Sequence, residues 1–477
     1  MIFLNIDRIN KKKFIYQQIY EEIKRSILSR KLHAHEQLPS KRKLAKHLHV
    51  SVNSVTNAYE QLLAEGYIYA IERSGYYVEN ITQFIHEESE KEDTLPHDLK
   101  EHKVNREGWL SLSHMTADLS MFPFKQWMKC QQRAIHHHQQ ELSEITHPQG
   151  PYIVRKTIAQ MIARTRGVIC EPEQIVIGPG TQTLIHRLMD MKSKEATIAI
   201  EDPGYARFYT LLKRMGFTVQ PIQLDHKGID IQAITEAQAN LVFVTPSHQF
   251  PTGKIMPITR RIELLNWAAQ SQHRYIVEDD YDSEFKYETD NIPSLHSLDR
   301  DQRVIYTGTF SKTLLPSFRI SYMVLTPHLL REYRKRYMDL IQGNNSLSLF
   351  TLHYFIQTGE YAKHIRRMTN HYEMKRKYLI KQLKSRFKHL IHIDDVPAGL
   401  HFLAHFHTDQ TYEAIEKRSI QEKLEIYSMR RFMLEHDIQE KHTVSLVIGF
   451  ANIQKEQIHE AVDRLFRTIY PNDEHTY

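Results

Sequence analysis

The amino-acid sequence predicts an α/β chain in which a small N-terminal helical module precedes a much larger α/β domain, and three observations carry that prediction. Apolar residues recur at helical spacing through the first 64 residues and then give way to two tyrosine-rich strand patterns. The stretch holding Glu87-Glu-Ser-Glu-Lys-Glu-Asp93 and Pro96 has little apolar patterning and separates this module from the rest as a solvated tether. The remainder contains apolar runs that end in glycines, in carboxylates, or in a lysine set among hydroxyls. At 477 residues and 41% hydrophobic content, the chain is long enough for two or three domains with a large core. We therefore expect domains at 1–80 and 109–477, joined by an acidic linker over 81–108.

Within the first domain, Ile15-Tyr-Gln-Gln-Ile-Tyr-Glu-Glu-Ile-Lys-Arg-Ser-Ile-Leu28 reads as one amphipathic helix. Pro39-Ser-Lys-Arg-Lys-Leu-Ala-Lys-His-Leu48 reads as a second, with Ser40 as N-cap and a basic first turn. After His49-Val50-Ser51 a further helix is expected from Val52 to Ala64, ended by Gly66. Tyr67-Ile-Tyr69 and Tyr76-Tyr-Val78 then pair as a hairpin around Arg73-Ser-Gly75. Two helices joined by a tight turn and followed by a hairpin make a winged helix-turn-helix. Such a fold lays the start of its second helix in the major groove of double-stranded DNA. Asn53, Ser54, Thr56 and Asn57 are the candidates for base edges, and Lys41, Arg42, Lys43 and Arg73 for phosphates. Residues 1–80 carry 13 Lys and Arg against 8 Asp and Glu, whereas the rest of the chain is nearly balanced at 50 against 49. The excess positive charge therefore sits where DNA would lie. Leu38-Pro-Ser-Lys-Arg42 and Ala58-Tyr-Glu-Gln-Leu-Leu-Ala-Glu-Gly66 resemble the signatures of GntR-type DNA-binding domains, although Val52 stands where that family usually has an arginine.

In the larger domain, Gly308-Thr-Phe-Ser-Lys-Thr-Leu-Leu-Pro-Ser-Phe-Arg319 places Lys312 among hydroxyls with an arginine seven residues on. That combination suits a phosphorylated aldehyde: the lysine condenses with it, Thr309 and Ser311 hydrogen-bond phosphate oxygens, and Arg319 clamps the same phosphate. Gly178-Pro-Gly-Thr-Gln-Thr183 precedes the helical pattern Leu184-Ile185-Leu188-Met189, so Gly180, Thr181 and Gln182 offer a helix start to the phosphate. Arg274-Tyr-Ile-Val-Glu-Asp-Asp-Tyr281 reads as a buried strand ending in carboxylates. Asp279 shares parity with Tyr281, which assigns Asp279 to a pyridine nitrogen and Tyr281 to the phenolic oxygen of the ring. Asp280 and Asp282 are expected in solvated or capping roles. Glu201-Asp-Pro-Gly-Tyr205 resembles the strand-end loop of fold-type I aminotransferases whose aromatic stacks on the cofactor ring, which implies that role for Tyr205.

These four segments, in their chain order, resemble the cofactor site of fold-type I aminotransferases, which implies pyridoxal 5'-phosphate held as a Schiff base on Lys312. Two positions depart from that pattern. In Val244-Thr-Pro-Ser-His-Gln-Phe-Pro-Thr-Gly253 the family's asparagine is replaced by Phe250, leaving Ser247, His248 or Gln249 to supply its hydrogen bond. In Ser445-Leu-Val-Ile-Gly-Phe-Ala451 the arginine that takes an α-carboxylate is replaced by Val447. Both halves together resemble the MocR subfamily of GntR regulators, and within it the γ-aminobutyrate-responsive type. That resemblance implies a head-to-tail, domain-swapped homodimer and an effector, γ-aminobutyrate, whose carboxylate is held by Arg207 and Arg430 while its amine forms an external aldimine. Two functions stand open at this point: a transcriptional regulator using the cofactor as a sensor, and an active aminotransferase with an accessory DNA-binding module.

Cys130 and Cys170 are isolated, as expected of a reducing compartment. Asp7, Arg8 and Lys11 to Lys13 precede any long apolar run, so neither a signal peptide nor a membrane span is expected, and the location expected is the cytoplasm. His136-His-His138 lacks a companion cluster, and no metal site is assigned.

Overall fold

The computed structural model describes residues 13–81, 95–101, 106–114, 118–288, 293–435 and 442–471. The acidic run at 87–93 and the N-terminal charges at 7–12 lie outside them. The chain forms two compact units, the first extending to residue 105 and the second from Arg106 onward.

The first unit contains helices α1 (Ile15–Leu28), α2 (Lys41–Leu48) and α3 (Val52–Ala64), then strands β1 (Ile68–Ile71) and β2 (Gly75–Val78). Ile19, Ile23 and Ile27 on one face of α1 pack with Leu44, Val55, Tyr59 and Leu62 into a closed core. The Ser40 hydroxyl accepts from Lys43 N and caps α2; Ser51 does the same for α3, accepting from Ser54 N. His49 ends α2 in the left-handed region, which turns the chain sharply between the two helices. The hairpin is antiparallel with Ile68 opposite Val78, and its first strand begins one residue later than the tyrosine pattern predicts.

The second unit is built on an eight-stranded sheet. In chain order its strands, numbered after the short β3 (Leu110–Ser111), are β4 (Ile175–Gly178), β5 (Thr197–Asp202), β6 (Thr218–Asp225), β7 (Gly228–Ile229), β8 (Leu241–Val244), β9 (Tyr275–Asp280), β10 (Val304–Thr309) and β11 (Ser321–Val324). Their spatial order is β4-β11-β10-β9-β8-β5-β6-β7. The run from β10 through β9, β8 and β5 to β6 is parallel, and β11 is antiparallel to both its neighbours. Both faces are covered, so the strands read as continuous Val/Ile runs such as Ile175–Ile177 and Leu241–Val244, all buried. A second, antiparallel sheet joins β12 (Ile391–Asp394), β13 (His401–His407), β15 (Tyr427–Ser428) and β16 (Thr443–Gly449) in the order β12-β13-β16-β15, while β14 (Leu424–Glu425) pairs with β3. Phe387, Phe402, Phe406, Leu446 and Phe466 fill the core beneath that sheet. The consequence for function is that Gly178, Asp202, Val244, Asp280 and Thr309 all stand at carboxyl ends of parallel-direction strands, on one edge of the large sheet. Among the described residues, no helix is long and apolar enough to cross a membrane.

Candidate functional site: a cofactor cleft and a nucleic-acid face

Strand β10 runs out at Thr309, and the turn after it carries Ser311 and Lys312 before Arg319 takes a left-handed backbone, φ +52°, into β11. The Ser321 hydroxyl donates to Thr309 Oγ1 at 2.8 Å, and Thr309 in turn donates to Ser311 Oγ at 3.1 Å, so three hydroxyls converge. Opposite them, Gly180 caps the helix Thr181–Asp190 with φ +104°. A Cβ there would lie 1.9 Å from Arg319 Nη2, so only glycine lets the guanidinium rest against the helix start, where it donates to Pro179 O at 3.3 Å. Thr181 directs its hydroxyl toward Ser321 at 3.5 Å, and Gln182 lines the adjoining cavity. The first N–H groups of a helix lack intrahelical acceptors. Together with an arginine fork and three hydroxyls, they form a donor set suited to a phosphate dianion.

Lys312, half-buried beside this cradle, donates from Nζ to His114 O at 2.7 Å. Burial lowers its amine to about 8, with Asp282 pulling the other way and Arg207 adding to the drop. Part of the amine is thus uncharged and nucleophilic near neutrality. Asp279 accepts from Thr307 at 2.9 Å, and burial raises its carboxyl to about 7. A cationic ring N–H brought opposite would hold it ionised. Tyr281 donates to His248 O at 3.0 Å. Tyr205 begins the helix Ala206–Arg214, with its ring edge-on to Phe208 at 4.7 Å and to Phe250 at 5.9 Å.

Phe250 and Val447, the two departures, meet in one buried apolar cluster with Leu403, Met429 and Phe432. Beside it is a cavity of about 460 Å³ lined by His114, Tyr205, Phe250, Tyr427 and Phe432, which are buried or half-buried, and by Arg207, Arg214 and Arg431, which are exposed. His114 is held to about 3 by burial, and then by the charges of Lys312, Arg431 and Arg207, which places a neutral imidazole among three cations.

Two expectations need correction. Asp280 and Asp282 are neither solvated nor capping. Asp280 is buried and ion-paired to Arg166 at 2.6 Å, with Tyr306 donating to it at 2.5 Å; Asp282 is buried against His248 Nδ1 at 3.0 Å. Arg430 is exposed and ion-paired with Glu413, and it is the next residue, Arg431, that lines the cavity, its guanidinium 4.6 Å from the Tyr427 ring centre. Sequence reasoning also missed Ser321 and His114. For Arg431 the one signal was its adjacency to Arg430; nothing in the local pattern marked Ser321 or His114.

On the winged helix, Asn53 and Asn57 are exposed and Thr56 half-buried, whereas the Ser54 hydroxyl lies 2.8 Å from that of Ser51 and is committed to the helix cap. Arg42 and Lys43 are exposed on α2. Lys41 is half-buried, its ammonium 5.3 Å from the Tyr76 ring centre and 4.0 Å from Glu60. Arg73 stands exposed at the wing tip with φ +61°.

Residues 15–78 match the gntR family of bacterial regulatory proteins, and residues 109–465 match the aminotransferase class I and II family. The HTH-type transcriptional regulator YdeL of Bacillus subtilis is 37% identical over 455 residues, covering 94% of this chain and 96% of that protein. The probable rhizopine catabolism regulatory protein MocR of Rhizobium meliloti is 29% identical over 476 residues, covering 94% and 93%. Among solved structures, the fold is similar to kynurenine aminotransferase of Pyrococcus horikoshii, at a TM-score of 0.68 and 22% identity over 77% of this chain and 92% of that one. The cofactor of the aminotransferase-type domain is pyridoxal phosphate. The residues present fit it: a phosphate cradle that a Cβ at position 180 would fill, an amine of lowered basicity, and a carboxyl placed for a ring nitrogen. With a gntR-family DNA-binding domain joined to an aminotransferase-type domain and full-length similarity to such regulators, the chain belongs to the MocR-type HTH transcriptional regulators.

Proposed function

We propose that this regulator senses an amino acid bearing a distal acid group, with γ-aminobutyrate the leading candidate, through exchange of the Lys312 amine for the effector's amine. The observation that carries the proposal is the shape of the cleft. Phe250, backed by the buried Val447, gives the cleft an apolar wall, and the cations that line it, Arg207, Arg214 and Arg431, are exposed. An α-carboxylate next to the reacting amine finds no cation on that apolar wall, whereas an acid group carried farther out reaches the arginines. Pyridoxal phosphate, when bound, supplies an aldehyde that condenses with amines. The chain's own groups do the rest: Gly180, Thr309, Ser311 and Arg319 hold the phosphate, Asp279 holds the ring nitrogen, and Tyr205 stacks. Lys312 would hold the cofactor's aldehyde, and its amine, when free, has the His114 carbonyl as acceptor at 2.7 Å. Arg431 rather than Arg430 is assigned to the carboxylate, with Arg207, because Arg431 lines the cavity and Arg430 does not.

The DNA-facing half of the proposal rests on the exposed Arg42, Lys43 and Arg73 for phosphates, with Lys41 beside them, and on Asn53, Thr56 and Asn57 for bases. The active form is proposed as a head-to-tail, domain-swapped homodimer acting in the cytoplasm. Phe124, Met128 and Ile135, exposed along one helix, supply apolar surface for a second copy. An absorbance titration of the holoprotein with γ-aminobutyrate, with and without operator DNA, tests the whole reading. We expect a saturable spectral change whose midpoint depends on DNA, since coupling between the two sites is reciprocal. Sustained transamination with a keto acid, on the order of one turnover per second or faster, would instead establish an aminotransferase.

A further inference from the structure

We propose that Asp282 and His248 are positioning residues that aim the single phenolic proton of Tyr281 at the cofactor's ring oxygen, replacing the side-chain amide that Phe250 cannot provide. The inference rests on the sensor reading above and concerns side chains that reading leaves without a role.

His248 Nδ1 lies 3.0 Å from Asp282 Oδ2 and 2.9 Å from Tyr281 Oη, and His248 and Asp282 are each only 2% exposed. A carboxylate only accepts, so the nitrogen facing it carries the hydrogen, whatever the charge on the ring. That N–H is shared with the Tyr281 oxygen, which therefore receives one hydrogen bond and keeps its own proton to give. In the structure Tyr281 gives that proton to the His248 carbonyl at 3.0 Å. A ring oxygen carrying negative charge is the stronger acceptor and draws it away. Without the imidazole N–H, Tyr281 would be a weaker donor and free to turn.

The imidazole is locked in place. A Cβ on Gly399 would come within 2.0 Å of His248 Cε1, and one on Gly253 within 3.2 Å of Nε2; both glycines have positive φ, +71° and +76°. Backbone thus approaches the ring on two sides and forbids another rotamer. His248, Asp282 and His401 are also close enough to hold a metal ion. Their own bonds argue against that use, because His248 Nδ1 is taken by Asp282 and Tyr281, and His401 Nε2 lies 3.1 Å from Pro251 O. The charged and titratable groups facing the Tyr281 phenol from neighbouring elements are Asp279 and Asp280 on β9, Glu201 on β5, and Asp282.

The test uses the holoprotein and follows the cofactor's visible absorbance against pH. A donor to the ring oxygen favours the deprotonated form, which carries the negative charge, so losing it raises the midpoint. Tyr281→Phe and His248→Leu should each raise the midpoint by about one unit. Adding His248→Leu to Tyr281→Phe should move it little further, because the two act through one bond. His248→Asn keeps an N–H near the place of Nδ1 and should stay close to wild type, which also guards against a His248→Leu protein that fails to fold. An unchanged midpoint in His248→Leu, or full additivity with Tyr281→Phe, overturns the proposal. So does stoichiometric Zn²⁺ binding, measured on the holoprotein by equilibrium dialysis and lost in His401→Gln. A wild-type protein with no visible band, and no borohydride-trapped adduct at Lys312, would instead overturn the sensor reading on which this role depends.

Discussion

The face of the winged helix and the cofactor cleft solve opposite problems. On the winged helix, the groups proposed for DNA lie within two short stretches, 41–43 and 53–57, plus Arg73, and Arg42, Lys43, Asn53, Asn57 and Arg73 are all exposed. They need only stand on a rigid frame, and each can be removed without disturbing its neighbours. The cleft draws on segments from His114 to Arg431, and its groups hold one another in place: Ser321 to Thr309, Thr307 to Asp279, His248 to both Asp282 and Tyr281. Substitutions should therefore act independently on the first surface and in a coupled way in the second.

The largest expected effect is at Lys312. Lys312→Ala should abolish the borohydride-trapped adduct, read by mass spectrometry, while leaving the fold intact; an adduct at another lysine would break the assignment. The same residue gives a pH signature. A depressed amine basicity leaves more of the nucleophilic form at neutral pH, so capture of pyridoxal phosphate by apoprotein should rise with pH and level off above about 8. An unperturbed lysine would keep the rate rising toward ~10.4. Next, Gly180→Ala should weaken cofactor binding by roughly ten- to a hundredfold through displacement of Arg319, as measured by equilibrium dialysis. A normal affinity would show that Arg319 does not serve the phosphate.

Arg431→Ala should raise the γ-aminobutyrate concentration needed for the spectral change by on the order of a hundredfold. Arg430→Ala should shift it less than about threefold, since an exposed ion pair contributes little. The reverse result would restore Arg430 as the carboxylate ligand. The smallest effects belong to the DNA face. Arg42→Ala should lower affinity for every sequence and reduce the salt slope by about one. Asn53→Ala should cost about 1–3 kcal/mol of operator preference if Asn53 reads a base with two hydrogen bonds. Coupling between these two DNA-face changes, tested by the double variant, would contradict the independence drawn above.

The same contrast governs what could be read from the sequence. The helices of the first unit, Ser40 as cap, and the Gly180, Lys312 and Arg319 cradle were all legible, because each is announced by residues close together in the chain. Asp280 was misread because its partner, Arg166, lies 114 positions away on another element. Asp282 was misread for the same reason, its imidazole partner coming from the loop after β8. At residues 430 and 431 the sequence offered two arginines in a row, and only the fold of the short helix Met429–Phe432 decided which side chain met the cavity and which met Glu413.

The buried guanidinium of Arg166 ties two strand ends together. It donates to Asp280 at the end of β9 and, at 2.5 Å, to Ser247 in the loop after β8, the loop that also presents His248 and Phe250. Removing one partner of such a buried pair costs roughly 3–5 kcal/mol. The damage should fall on that loop first, because Ser247 would lose its donor and Asp280 would be left charged and unmatched. A variant at Arg166 would thus present as a protein blind to its effector while its winged helix still grips DNA: a regulator locked in one state by a residue assigned no contact with cofactor, effector or operator.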